Sequence, residues 1–163
     1  HILSSHGVLN FAEYQMNAVR LGIGLYGSAA VKKLYQISSL SSVITQTKEL
    51  KKGEYVGYAG KFQAQKKMKI GIIPVGYADG LNRRLSNGVG RVFVKNYSCK
   101  IIGEISMDSF AIDITNNNIK EGDSVEIFGD NIAVKEVAKK AKTIPYEIYC
   151  TLNRRIKRIY SDS

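Results

Sequence analysis

A chain of 163 residues, 44% of them hydrophobic, can build one ordinary domain with a real core and little more. No apolar run approaches the roughly 20 residues needed to cross a bilayer, and the opening HILSSHGVLNF lacks the basic-then-apolar order of a signal peptide, so a soluble protein without membrane partners is expected. Lysine plus arginine outnumber aspartate plus glutamate by 24 to 14, a net charge of +10, which favours nucleic acid, an anionic surface or a phosphorylated ligand without choosing among them.

In chain order, the first residues form an apolar, half-periodic segment with no initiator methionine and no helix cap, as expected of a cut through a larger protein. Residues 10–18 (NFAEYQMNA) suit a short helical turn, and residues 19–27 (VRLGIGLYG) suit a buried strand followed by a glycine loop. From about residue 33 the texture changes. LYQISSLSSVITQ, EYVGYAGKF, MKIGIIPVGYA, GRVFVK, CKIIGEISM, FAIDIT and DSVEIF are rich in β-branched and aromatic residues and predict many short strands. Turn signals separate them: Lys52-Gly53, Asp79-Gly80, Asn87-Gly88, Lys95-Asn96 and Glu121-Gly122-Asp123, at spacings suited to antiparallel strands in a barrel or sandwich. Asp79 and Gly80 are read as a turn, with no chemistry assigned.

After Asp130 and Asn131, taken as caps, IAVKEVAKKAK places Ile132, Val134, Val137, Ala138 and Ala141 close to one helical face. Pro145 suits the first turn of a second helix, PYEIYCTLN, before a strand-like RRIKRIY. The two cysteines, Cys99 and Cys150, sit among apolar or strand-like neighbours rather than in a CxxC pair. They read as buried thiols in a reducing compartment, and no metal site is expected.

Four strings, RLGIGLYG, VGYADGLNRRLSNG (75–88), GEISMD (103–108) and TIPYEIYCTLNRRIKRIY (143–160), together resemble alanine racemase in content and order over essentially the whole chain. The resemblance implies a mostly β protein: a β-barrel-like C-terminal domain with short helices over residues 33–163, preceded over residues 1–32 by a remnant of the last part of a (β/α)8 barrel that binds pyridoxal phosphate. Ser5, Tyr146 and the backbone N–H groups of Gly22 and Ile23 would bind the cofactor phosphate, as barrel enzymes do at the ends of late strands. Arg20 would face the pyridine nitrogen. A guanidinium cannot hand that nitrogen a proton, which weakens the electron sink and favours racemisation over transamination. His1 would hydrogen-bond Arg20.

Racemisation needs a base on each face of the substrate. The resemblance assigns one role to Tyr58, delivered to the partner's cofactor in a homodimer, so that the active site is composite. A phenol works as a base only where cations stabilise its phenolate, and among 10 tyrosines only family position singles it out. Met107 and Asp108 would contribute to the substrate site across the dimer, and Tyr77, Arg83, Ile144 and Arg158 would line or support the access channel. Glu104 stands where the family commonly has arginine, which leaves substrate preference open. The family's cofactor lysine has no counterpart in the chain, so these residues alone are expected to be inactive. The whole enzyme would interconvert L- and D-alanine in the cytoplasm for peptidoglycan synthesis, with no nucleic-acid partner. The alternatives are a related racemase acting on serine or a broader set, and a basic β-barrel module that stacks bases and tracks a phosphate backbone.

Overall fold

The computed structural model describes residues 1–28 and 34–161. The β-rich texture resolves into β1 (Leu40–Val43), β2 (Gln46–Leu50), β3 (Tyr55–Val56), β4 (Phe62–Gln63), β5 (Met68–Ile73), β6 (Arg91–Val94), β7 (Tyr97–Ile102), β8 (Phe110–Asp113) and β9 (Ser124–Phe128). The helices are α1 (Ser5–Asn10), α2 (Val134–Lys140) and α3 (Pro145–Thr151). The turn signals hold: Gly53, Gly80, Asn87, Gly88, Lys95 and Gly122 all have positive φ, a region that glycine and asparagine enter at least cost.

Seven strands form one sheet in the order β1-β9-β6-β7-β8-β5-β2, while β3 and β4 form a separate hairpin. All the strand pairs are antiparallel. The two edge strands are consecutive in sequence, separated only by Ile44 and Thr45. At that junction the Ile44 N–H donates to Asp123 O (3.0 Å) and the Thr45 N–H to Ile72 O (3.0 Å). One bent stretch therefore bonds β9 with its first half and β5 with its second, and the sheet curls back on itself as a half-barrel.

The alternation of the strands fills the interior. Ile73, Val92, Val94, Ile112, Ile114 and Val125 are fully buried, and Val134 and Ala141 bring the α2 region against them. A smaller cluster lies under the β3–β4 hairpin, where Leu50, Val56, Ala64 and Met68 meet Ile70, Ile102 and Ala111. Each of these large side chains contributes about 1.5–3 kcal/mol by leaving water, so the curled sheet is held mainly by apolar contact.

Several expectations are corrected. Neither Asp130 nor Asn131 caps α2. Its N-cap is Ala133, which has no capping side chain, and the Val134 N–H is accepted instead by Gln36 Oε1 at 2.8 Å. The Asn131 and Ile132 amides turn to the Glu126 carboxylate. Residues 19–27 form no strand beyond a single parallel bridge from Ser4 to Arg20, followed by a 3-10 turn over Ile23–Tyr26; a strand needs a continuous neighbour, and only residues 3–4 stand beside this one. RRIKRIY lacks a pairing strand for the same reason and runs as turn and coil. Cys99 is buried but Cys150 is exposed. The expected boundary near residue 32 falls outside the described residues. Among the described residues no helix is long and apolar enough to cross a membrane.

Candidate functional site

The hairpin β3–β4 is joined by a tight turn, Tyr58–Gly60. Gly57 enters it at φ +81, where a Cβ would sit 3.4 Å from the Glu104 amide nitrogen. The backbone reversal throws the Tyr58 side chain outward, 80% exposed, away from the chain's own core. It stands on the rim of an open groove of about 310 Å³ whose walls include Ile72, Glu104, Ser106, Ser109 and Phe110.

Glu104 gathers the charged groups of this groove. Its Oε2 accepts from Arg83 at 2.6 Å, and its Oε1 accepts from Asn87 Nδ2 at 3.0 Å and lies 3.6 Å from Lys61 Nζ. The Asn87 amide and the Arg83 guanidinium hold its carboxyl below the ordinary carboxylate range. Arg83 also lies 5.9 Å from the centre of the Tyr77 ring, within cation–π reach. The negative charge flagged in the sequence is thus compensated in place rather than presented to incoming molecules.

Beside the groove two loops are zipped together: the Tyr77 N–H donates to Ser106 O and the Ala78 N–H to Met107 O, both at 3.0 Å. Only glycine fits at the contact, since a Cβ on Gly76 would lie 2.2 Å from Met107 O. Asp79 does more than turn the chain. It is 7% exposed, accepts from the Gly76 N–H at 2.8 Å and from Arg155 Nε at 2.6 Å, and Arg155 also donates to Asp108 at 2.7 Å. Burial pushes the Asp79 carboxyl up, but Arg155 and the Gly76 amide outweigh it and hold the group below its usual range. Met107 stays half-exposed beside this bridge, whereas Ile144 lies exposed at the start of α3. Arg158 donates to the carbonyls of Leu152, Asn153 and Ile156, tying down the chain after α3.

A second group of residues assembles at the start of the chain. Ser5 is buried, and its Oγ accepts from the amides of Gly22 (3.0 Å) and Gly24 (3.1 Å). Two backbone N–H groups converging on one oxygen make the kind of nest that recognises an anion, with the serine hydroxyl standing where an anion's oxygen would. The space beside Gly22 is open, with nothing within 4 Å of where a Cβ would be. Arg20 is placed alongside by its bridge to Ser4, and its guanidinium donates to Ile2 O at 3.3 Å, next to His1. Ile23 packs its side chain inward.

This segment docks onto α3. The Tyr26 ring stacks on Tyr149 at 4.9 Å, and the Tyr149 hydroxyl meets Ser28 Oγ at 2.9 Å and Ser38 Oγ at 3.1 Å. Tyr146, about one turn earlier on the same helix, shares that general face and is 42% exposed.

The structure therefore brings Ser5, Arg20, Gly22 and Ile23 together, and separately Tyr58, Tyr77, Arg83, Met107 and Asp108. Among the described residues no hydrogen bond, ion pair or ring contact joins the first group to Tyr58. Sequence reasoning missed Arg155, Tyr149, Lys61 and Asn87. Arg155 lay inside a quoted string, but nothing in its neighbourhood identified partners 76 and 47 positions away.

Comparison with known proteins adds three findings. The family model described as "Alanine racemase, C-terminal domain" matches residues 37–160. The alanine racemase of Clostridium tetani is 34% identical over 98% of this chain and 44% of its own length, and that of Helicobacter pylori (strain Shi470) 36% identical over 98% and 46%. The crystal structure of alanine racemase from Bartonella henselae with covalently bound pyridoxal phosphate superposes with a TM-score of 0.90 at 33% identity, covering 98% of this chain and 46% of that one. The chain thus spans less than half the length of these relatives.

Proposed function

Since the chain belongs to the alanine racemase family, we propose that it is the C-terminal part of an enzyme that interconverts L- and D-alanine. Residues 1–32 complete a cofactor-binding barrel and residues 33–163 form the β-domain. The observation that carries the reading is Tyr58, an exposed phenol on a glycine-entered turn at the rim of a groove, without contact to the chain's own anion-recognising nest.

Pyridoxal phosphate suits this corner by donor chemistry: the Ser5 hydroxyl, the Gly22 amide once released from Ser5 Oγ, the Ile23 amide and the Tyr146 phenol would offer protons to a dianion, with Arg20 beside them. When bound, the cofactor supplies an electron-withdrawing ring that makes the substrate Cα–H acidic. The remaining work falls to side chains. Ser5, Gly22, Ile23 and Tyr146 hold the phosphate. Arg20 keeps its own proton and leaves the ring nitrogen without one. Tyr58 takes the proton from, or returns it to, one face of Cα at its phenol oxygen, and Met107 and Asp108 shape the pocket around the small substrate. The opposite face is served by a lysine that this chain does not carry, so residues 1–163 alone do not racemise alanine.

Because Tyr58 points away from its own core, it serves the nest of a second copy, and the working unit is a homodimer with shared active sites. In a bacterial cytoplasm the product supplies D-alanine for peptidoglycan.

Cα–deuterium exchange of each enantiomer in the whole enzyme tests the assignment. Tyr58→Phe should slow exchange on one substrate face by at least about 100-fold, in the range of a lost general base, while cofactor absorbance persists. Equal loss on both faces, or loss of cofactor, would overturn it.

A further inference from the structure

The turn that carries Tyr58 packs at its start against the Gly103–Glu104 backbone and is tied at its end to the Glu104 side chain. At its start, Gly57 and Gly103 both have positive φ and bring the hairpin backbone against the Gly103–Glu104 backbone; a Cβ on Gly103 would lie 3.2 Å from Val56 O. At its end, Lys61 reaches back to the Glu104 carboxylate at 3.6 Å. Between these anchors the turn has little support of its own. Gly60 N to Gly57 O, at 3.3 Å, closes it, Ala59 is forced to φ 60, a conformation costly for an L residue, and the tyrosine ring projects into solvent.

The Glu104 side chain is 15% exposed against 59% for Lys61. A half-exposed lysine pair is weak and salt-screened when it stands alone. Here the carboxylate is fixed by two further donors, Arg83 at 2.6 Å and Asn87 at 3.0 Å, so Lys61 meets an acceptor already held in place.

We propose that Glu104 is the positioning residue for Tyr58: its backbone seats Gly57, its carboxylate anchors Lys61, and Arg83 and Asn87 lock that carboxylate so that the phenol keeps one direction. This rests on the reading of Tyr58 as the proton carrier and deepens it. The same contacts pair the Arg83 and Lys61 cations with a carboxylate on the groove wall, so substrate anions meet less uncompensated positive charge there than the sequence suggests.

The test uses the whole enzyme containing this chain, with Glu104→Gln and Lys61→Ala compared. In both variants, amide hydrogen exchange over residues 57–61 should accelerate by about tenfold or more, with β6 to β9 unchanged, because only a local opening is loosened. Cα–deuterium exchange on the Tyr58-dependent face should fall about tenfold, with the other face and the substrate KM within about twofold. Unchanged exchange over 57–61, an effect of Glu104→Gln that Lys61→Ala does not share, or equal slowing on both faces would overturn the proposal. Should Tyr58→Phe spare both faces while the 57–61 amides still loosen, the role of Tyr58 fails and the clamp stands.

Discussion

Arg155 Nε donates to Asp79 Oδ1 over 2.6 Å while its Nη2 donates to Asp108 Oδ1 at 2.7 Å, so one guanidinium from the chain after α3 ties together two loops that flank the groove.

Arg155→Met should lower the urea unfolding midpoint, because it removes a charge-assisted hydrogen bond and leaves a mostly buried carboxylate behind. The pH dependence has a definite sign. The Asp79 carboxyl is held below its ordinary value, so its stabilisation is complete above the unfolded pKa, about 4, and is lost as pH falls toward the folded one. The difference between wild type and Arg155→Met should therefore be constant near neutrality and shrink on acidification below about pH 4. A difference that grew on acidification would contradict the pairing.

Gln36 is a helix cap supplied from 98 residues away. It accepts from Val134 N–H at 2.8 Å and donates to Gly129 O at 3.0 Å. Gln36→Ala should lower stability by about 1 kcal/mol, as cap removal does, and speed amide exchange at the first turn of α2 with β5 and β8 unaffected. Undisturbed exchange at Val134 would show that the cap contributes nothing.

Tyr149→Phe keeps the stack on Tyr26 but removes the hydroxyl between Ser28 and Ser38. The expected cost is about 1 kcal/mol, together with faster proteolytic cleavage near residues 22–28. Tyr149→Ala, which also strips the ring contact, should release this segment further. Equal cleavage rates in all three proteins would mean that Tyr149 does not dock it.

The two thiols should separate cleanly. Burial, with a smaller contribution from Asp113, pushes the Cys99 thiol up to about 11, whereas Cys150 is exposed. A chromogenic thiol reagent at neutral pH should modify Cys150 in the native protein and Cys99 only after denaturant is added. Prompt native labelling of Cys99 would mean that the interior opens far more readily than its packing implies.

What could be read from the sequence was local. β5 to β9 lie where β-branched alternation put them, and Gly53, Gly80 and Gly122 turn the chain because their left-handed φ is a property of single residues. Pro145 opens α3 for the same reason. What escaped was long-range. Gln36 carries no mark of a cap for Val134, and Asp79 reads as a turn until Arg155 arrives. RRIKRIY has strand composition without a neighbouring strand to satisfy its amides. Of the candidate site, the grouping of Ser5 with Gly22 and the outward setting of Tyr58 followed from family resemblance; composition alone pointed to neither. The Glu104 cluster was visible only as a misplaced charge.

The curl of the sheet limits how copies can associate. Its two outermost strands are successive four- and five-residue halves of one stretch, so little unpaired backbone is left for another chain to extend, and short borders of this kind resist templated stacking. A substitution that lengthened or straightened residues 40–50 would open a path to fibrous aggregation.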